Sequence, residues 1–224
     1  MEFILDKSLA GLGIQQVVIA TMSGIDLEAS LSEEKQLFLE HWQQKALALN
    51  LEELDENPIV IGYRELVQQV GRSSKKNPPT AEALIKNIQR RGSLPRINTV
   101  VDWYNAETLQ SYLSIGAHDL DKIQFPVEFT ISKREDTFYP IMAPEKKVAA
   151  TDLVYRDQQG ILAYLDCRDS ELYKITPQTK KLLLVIQGHR HTSVSYRQEA
   201  LERICLGLKA VMPELQYRIQ VLDV

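Results

Sequence analysis

The stretch Leu94–Ile123 carries the densest set of side chains able to do chemistry: Arg96, Asn98, Asp102, Asn105, His118, Asp119 and Asp121. Asp102 and Asn105 are three apart, so on a helix they share one face. An amide beside a carboxylate, followed by a histidine and two aspartates, offers donors and acceptors to a small polar ligand. The same residues also have a plainer use, with Asn98 capping a helix and Asp102 and Asn105 bonding nearby backbone. A second polar knot is Cys167-Arg168-Asp169-Ser170. The arginine beside Cys167 favours a thiolate, but no base partner accompanies it, and a buried structural thiol is the stronger reading. Gly188-His189-Arg190-His191 would set two imidazoles on one face of a strand, a geometry fit for zinc. No spacing brings a third ligand from Cys167, Asp169 or His118, so neither a metal nor an organic cofactor is expected.

These residues need a scaffold, and the hydrophobic pattern outlines one. Gln15–Thr21 is a short β-branched run that suits a buried strand. Ser32–Leu49 opens on a serine cap with Glu33 and Glu34 in the first turn, then keeps Leu37, Phe38, Trp42, Ala46 and Leu49 at helical spacing. Ile59–Val70 and Thr80–Arg91 read as two further helices, the second capped by Thr80, joined by the loop Gly71–Pro79. Thr99–Leu113 is a helix, and Gly116–Asp119 belongs to the turn after it. From Phe125 the pattern changes to strands: Pro126–Ser132, Thr137–Met142 paired with it, Asp152–Arg156, Ile161–Asp166 and Lys181–Gln187. Gln158-Gln159-Gly160 makes a hairpin turn between two of them. Ser195–Val211 is the clearest helix, stopped by Pro213, and Leu215–Val221 alternates as a last strand. Trp42 and Trp103 read as core. Helices early and strands later make an α+β fold rather than alternating βαβ units.

At 224 residues, 44% of them hydrophobic and 25% charged, the chain has enough apolar side chains for one sizeable core and no segment of disordered composition. Its two cysteines exclude a disulfide framework. It has no apolar run long enough to span a bilayer, and its start lacks the pattern of a signal peptide. A reduced, cytoplasmic protein that does not enter membranes is expected. The net charge of −4 argues against non-specific coating of nucleic acid, but the distribution is uneven. Asp26–Asn57 has nine acidic and two basic residues, whereas Gly71–Arg96 has Arg72, Lys75, Lys76, Lys86, Arg90, Arg91 and Arg96 against Glu82 alone. The second segment is a candidate phosphate-binding face. The plain alternative is two solvated helical faces of opposite charge lying side by side.

Two blocks resemble the B3/B4 domain of the phenylalanyl-tRNA synthetase β subunit. One is Arg96-Ile97-Asn98-Thr99-Val100-Val101-Asp102-Trp103-Tyr104-Asn105 with Ser114-Ile115-Gly116-Ala117-His118-Asp119-Leu120-Asp121. The other is Asp152-Leu153-Val154-Tyr155-Arg156-Asp157, echoing the family's T-L-V-I-A-D, followed by Ile161-Leu162-Ala163, Thr179 and Leu182-Leu183-Leu184. The resemblance covers about Arg72 to Gly188. It implies a layered domain of mixed and antiparallel sheets packed by helices over residues 59–224, with residues 1–58 as an N-terminal elaboration packed on it.

That family's domain hydrolyses tyrosine wrongly attached to the phenylalanine tRNA, so the resemblance implies a free-standing domain that binds mischarged tRNA and deacylates it. An RNA- or amino-acid-binding module without catalysis is the other reading. The family's pocket asparagine falls on Asn105, its histidine on Gly116, its tyrosine-reading glutamate on Val185 and its glycine pair on Leu165-Asp166. An aminoacyl ester is already activated, so a positioned water and a stabilised oxyanion suffice to cleave it. The candidate catalytic residues are therefore Asn105, His118, Asp119 and Asp169. Arg96, Asn98, Gly116, Arg168 and Ser170 are the candidate substrate contacts. The helix through Leu113 should deliver Gly116–Asp119 to a cleft walled by Ile161–Ser170.

Overall fold

A computed structural model describes residues 1–224. The fold is α+β, built of two main sheets and a helical layer. Strands β1 (Phe3–Leu5), β4 (Val127–Ile131), β7 (Leu153–Arg156), β8 (Ile161–Tyr164) and β9 (Arg168–Asp169) form one sheet in that order. The second has the order β11 (Gln216–Asp223), β2 (Gln16–Ser23), β10 (Lys181–Ile186), β3 (Gly116–Asp119). A small hairpin pairs β5 (Asp136–Phe138) with β6 (Lys146–Val148). The helices are α1 (Glu33–Ala48), α2 (Leu51–Glu56), α3 (Pro58–Gln69), α4 (Thr80–Arg91), α5 (Thr99–Ser111) and α6 (Val194–Lys209).

Strand alternation sorts the side chains into two cores. Val17 and Ile19 of β2, with Leu183 and Val185 of β10, face the first sheet and join Phe129, Tyr155 and Leu162. Val18, Ala20 and Met22, with Leu182, Leu184 and Ile186, face the other way onto the α6 stripe of Ala200, Leu201, Ile204, Cys205 and Leu208. Being covered on both faces is why these strands are apolar at nearly every position. A third cluster seals α1, α3, α4 and α5 through Ala46, Val60, Ile85, Ile88 and Leu109.

The structure departs from the sequence reading in several places. Gly116–Asp119 is a strand, not a turn, because β10 offers it a full antiparallel partner. The Thr137 segment pairs with β6, while β4 lies between β1 and β7. Thr80 is the first residue of α4 rather than its cap, and Pro79 precedes it without a side-chain bond. Residues 1–58, expected as an elaboration packed on the core, put β2 inside the second sheet and β1 at the edge of the first. Ser32 and Asn98 do cap α1 and α5, accepting from Lys35 N and Val101 N.

The expected hairpin turn after β7 is built on a carboxylate. Asp157 accepts from the backbone N–H of Gln159 and Gly160, from Gln124 N–H and from the Tyr173 hydroxyl. It is buried, so removing it orphans several donors at once. Asp157→Ala should cost about 2–5 kcal/mol in urea denaturation, and a loss under about 1 kcal/mol would show that the turn holds without it.

Candidate functional site

A cavity of about 220 Å³ opens between α5, β3 and the β8–β9 hairpin, lined by Tyr104, Asn105, Ser114, Gly116, Asp166 and Asp169 among others. Asn105 reaches it from the middle of α5, Gly116 from the start of β3, and Cys167, Arg168 and Asp169 from the hairpin. Of Gly116–Asp119, expected at the mouth of a cleft walled by Ile161–Ser170, only Gly116 lines the cavity. Thr80 and Ile141 close the rim.

Asp169 joins the two sheets here. Its Oδ2 accepts Ala117 N–H at 3.1 Å, and its Oδ1 lies 3.8 Å from His118 Nε2. Burial pushes its carboxyl up to about 7, opposed by the bond from Ala117. Asp166 is buried with Oδ2 unpaired. Burial, then the charge of Asp169, pushes it well above the carboxylate range, with Arg197 opposing. One cavity therefore holds two carboxyls, both raised by burial.

The hairpin that presents them is strained. Cys167 N–H donates to Tyr164 C=O, while Leu165 and Asp166 between them have φ of 53° and 51°. Two successive left-handed residues fit glycine best and cost a branched or bulky residue about 1–2 kcal/mol each. The positions that the resemblance assigns to a glycine pair are the ones where the backbone asks for glycine. Leu165 points into the first core instead of narrowing the cavity, and Asp166 alone lines it.

Gly116 has a steric reason of its own. A Cβ there would sit 2.2 Å from the Tyr155 hydroxyl and 3.3 Å from both Asp169 Oδ1 and His118 Nε2. Tyr155 donates to or accepts from His118 Nε2 at 2.7 Å. His118 is fully enclosed behind the cavity wall, and burial pushes its imidazole down to about 3, so it is neutral. It can steady Asp169 and Tyr155 but does not itself reach a ligand in the cavity.

Other candidates lie elsewhere. Asp119, on the opposite face of β3, accepts from Thr179 Oγ1 and Asp121 N–H and lies 3.7 Å from Lys122 Nζ. Its misplacement follows from reading a strand as a turn, since alternate residues face apart. Arg96 pairs with Asp102, whose other oxygen accepts Ile97 N–H, so this trio and the Asn98 cap start α5 rather than meet a ligand. Ser170 is buried and caps a single 3-10 turn by accepting Leu172 N–H. Burial pushes the Cys167 thiol up to about 12, which rules out a thiolate nucleophile. Both His189 ring nitrogens are engaged, Nε2 with Ile59 C=O and Nδ1 with His191 N–H, which leaves none for a metal.

The charge run splits. Lys86 pairs with Glu82, and Arg90 bonds Asn87, both on α4. Arg72 makes a bidentate pair with the fully buried Asp152 at 2.5 and 2.8 Å. The acidic and basic segments do lie side by side, since Gln89 of α4 donates to the carbonyls of Ala46 and Leu49. Sequence reasoning missed Tyr155 and Asp166. The signal for Asp166 was available, as an aspartate where the resemblance expects glycine.

Two sheets share a core, with a polar cavity at their seam. The chain belongs to the B3/4 domain family, whose profile matches residues 62–205. It is 25% identical over 125 residues to the phenylalanine–tRNA ligase β subunit of Mycoplasma pneumoniae, covering 56% of this chain and 15% of that one. It is also 25% identical over 105 residues to the same subunit from Haemophilus ducreyi, covering 47% and 13%. The chain thus aligns with under a sixth of the length of either curated relative. An N-terminal fragment of the phenylalanyl-tRNA synthetase β subunit from Pyrococcus horikoshii superposes with a TM-score of 0.48 at 14% identity, over 97% of this chain and 50% of the fragment.

The raised Asp169 carboxyl has a thermodynamic signature. The unfolded chain releases this proton near 3.8 and the folded one near 7. The folded state therefore binds more protons in that window, and its stability falls as pH rises through it, then levels off. Asp169→Asn removes the penalty and should be more stable than the parent by ~1–3 kcal/mol at about pH 8, with the difference closing below about pH 4. Urea denaturation across pH checks this, and a difference independent of pH would count against the buried carboxyl.

Proposed function

We propose that the cavity receives the aminoacyl ester at the 3′ end of a mischarged tRNA and hydrolyses it, with no metal or organic cofactor. The observation that carries this reading is the convergence of Asn105, Asp166 and Asp169 on one cavity, with the Asp169 carboxyl poised at about 7. A general base works best with a pKa near the working pH. Membership of the B3/4 family supports the choice of an RNA-linked substrate over a free metabolite.

The chemistry follows from the geometry. Asp169 takes a proton from a water, whose oxygen attacks the ester carbonyl. The Asn105 amide N–H groups, bonded to no other side chain, are available to the oxyanion that develops. As the tetrahedral species collapses, the acyl C–O bond to the ribose breaks and the ribose oxygen leaves with a proton from Asp166, whose carboxyl burial pushes well above its ordinary range. The products are a free amino acid and the uncharged RNA end. The second reading, a binding module without catalysis, is favoured by the strand pair behind the cavity, where Val185 stands directly across from Gly116 and neither carries a polar side chain.

The position that the resemblance aligns with the tyrosine-reading glutamate also bears on specificity. It holds Val185, which accepts no hydrogen bond, and leaving a buried hydroxyl unpaired costs about 1–3 kcal/mol. In deacylation assays over a panel of mischarged tRNAs, tyrosyl-tRNA should be a poor substrate. With the best substrate, the rate should rise with pH through about 7. Asn105→Ala and Asp169→Asn should each lower it about 100-fold or more. Efficient tyrosyl-tRNA hydrolysis untouched by either change would defeat the assignment.

A further inference from the structure

Arg168 stands between two concavities. On one side is the cavity above. On the other is an open cleft of about 540 Å³ that carries Arg72, Lys76, Lys146, Lys147 and Arg168, with Glu145 as its one acidic wall residue. These cations come from three separate parts of the chain, so no single run in the sequence announces them. Asp152 neutralises Arg72, but Lys76, Lys147 and Arg168 have no carboxylate partner, and Arg168 Nε is buried without a hydrogen bond. Lys146 is held in place, donating to Asn77 Oδ1 at 2.6 Å and lying 4.7 Å from the centre of the Tyr164 ring.

We infer that this cleft is a phosphodiester subsite, taking the backbone of a single-stranded RNA end whose terminal aminoacyl group enters the adjoining cavity. The inference rests on the functional reading above and extends it. Three unpartnered cations facing one carboxylate make a local surplus of positive charge on a chain whose net charge is −4. Burial, and then the like charge of Arg168, hold the Lys146 ammonium below the usual lysine range, a strain that a bound anion relieves.

A second observation agrees. The segment Tyr139–Ile141 is hydrogen-bonded to Asp169 and Glu171. It holds Tyr139 at 45% exposure and Ile141 at 39%, followed by Met142 at 97%. An exposed aromatic and apolar rim beside a basic cleft is what stacking of unpaired bases requires. Of the Gly71–Arg96 segment expected to hold phosphate, the cleft takes Arg72 and Lys76 and leaves the α4 cations outside.

The test measures anisotropy of a labelled, unacylated tRNA acceptor hairpin with a single-stranded 3′ end, so it does not depend on hydrolysis. Lys76→Glu with Lys147→Glu, both exposed and unpaired, should weaken binding at least about tenfold. The same pair should flatten the salt dependence by about 1.4 in log–log slope, at 0.7 per lost single-strand phosphate. The charge-matched pair Lys86→Glu with Arg91→Glu on α4 should cost far less. A larger or equal loss from the α4 pair, unchanged affinity in the cleft pair, or binding of inorganic phosphate with none of the hairpin would each overturn the inference. If the hairpin binds as stated but no aminoacyl-tRNA is cleaved, the subsite stands and the deacylase reading fails.

Discussion

One hydrogen bond decides where the chemistry can be: Ala117 N–H to the Asp169 carboxylate, at 3.1 Å. Ala117 belongs to β3 at the edge of one sheet, and Asp169 to β9 at the edge of the other. An edge strand has backbone donors that no neighbouring strand satisfies, and here one of them is spent on a side chain of the opposing sheet. The bond orients the carboxylate, pins the hairpin that carries Asp166, and holds the two edges apart by a side chain's width. That gap is the cavity. The bond also explains why Asp169 is raised only to about 7 when burial alone would raise it further, since a donor to the carboxylate favours its charged form.

The site is costly, and the costs sit together. Two carboxyls share a poorly solvated space, Asp166 Oδ2 and His118 Nδ1 are buried without partners, and the hairpin holds two left-handed side-chain-bearing residues in succession. Each is the kind of local violation that a packed surround must over-determine. The surround is suited to it. The first core continues directly beneath the hairpin through Ala163, Tyr164 and Leu165, and the buried Asp157 turn ties down the other end of the same strand pair.

Much of this was legible in the sequence where a side-chain period was clean. The α6 stripe, β2, β10 and the caps at Ser32 and Asn98 all lie where spacing and cap chemistry put them. The misses have a common cause. β3 is only four residues long, and three of them, Gly116, His118 and Asp119, are not strand formers; its pairing with β10 is a tertiary fact that no local propensity encodes. Once it was read as a turn, Asp119 was assigned to the wrong side. The basic cleft was illegible for a related reason. Lys146, Lys147 and Arg168 become neighbours of Arg72 and Lys76 only after the first sheet closes, so a run-based count finds Arg72 and Lys76 but not the cations that join them.

The strand pair behind the cavity ties several substitutions into one set. The resemblance puts a histidine at Gly116 and a glutamate at Val185, and β3 and β10 place these two positions directly opposite one another. A cross-strand polar pair of that kind is kept or lost as a unit, since either member alone would be buried without its partner. The vacated space cannot stay empty in a close-packed interior. The resemblance has isoleucine where this chain has Tyr155, and the Tyr155 hydroxyl now occupies the place that a side chain on residue 116 would take. His118 then supplies that hydroxyl with its partner at 2.7 Å. Gly116, Val185, Tyr155 and His118 therefore form one packed set. A histidine placed at 116 alone would collide with the Tyr155 hydroxyl, so these positions can change only together.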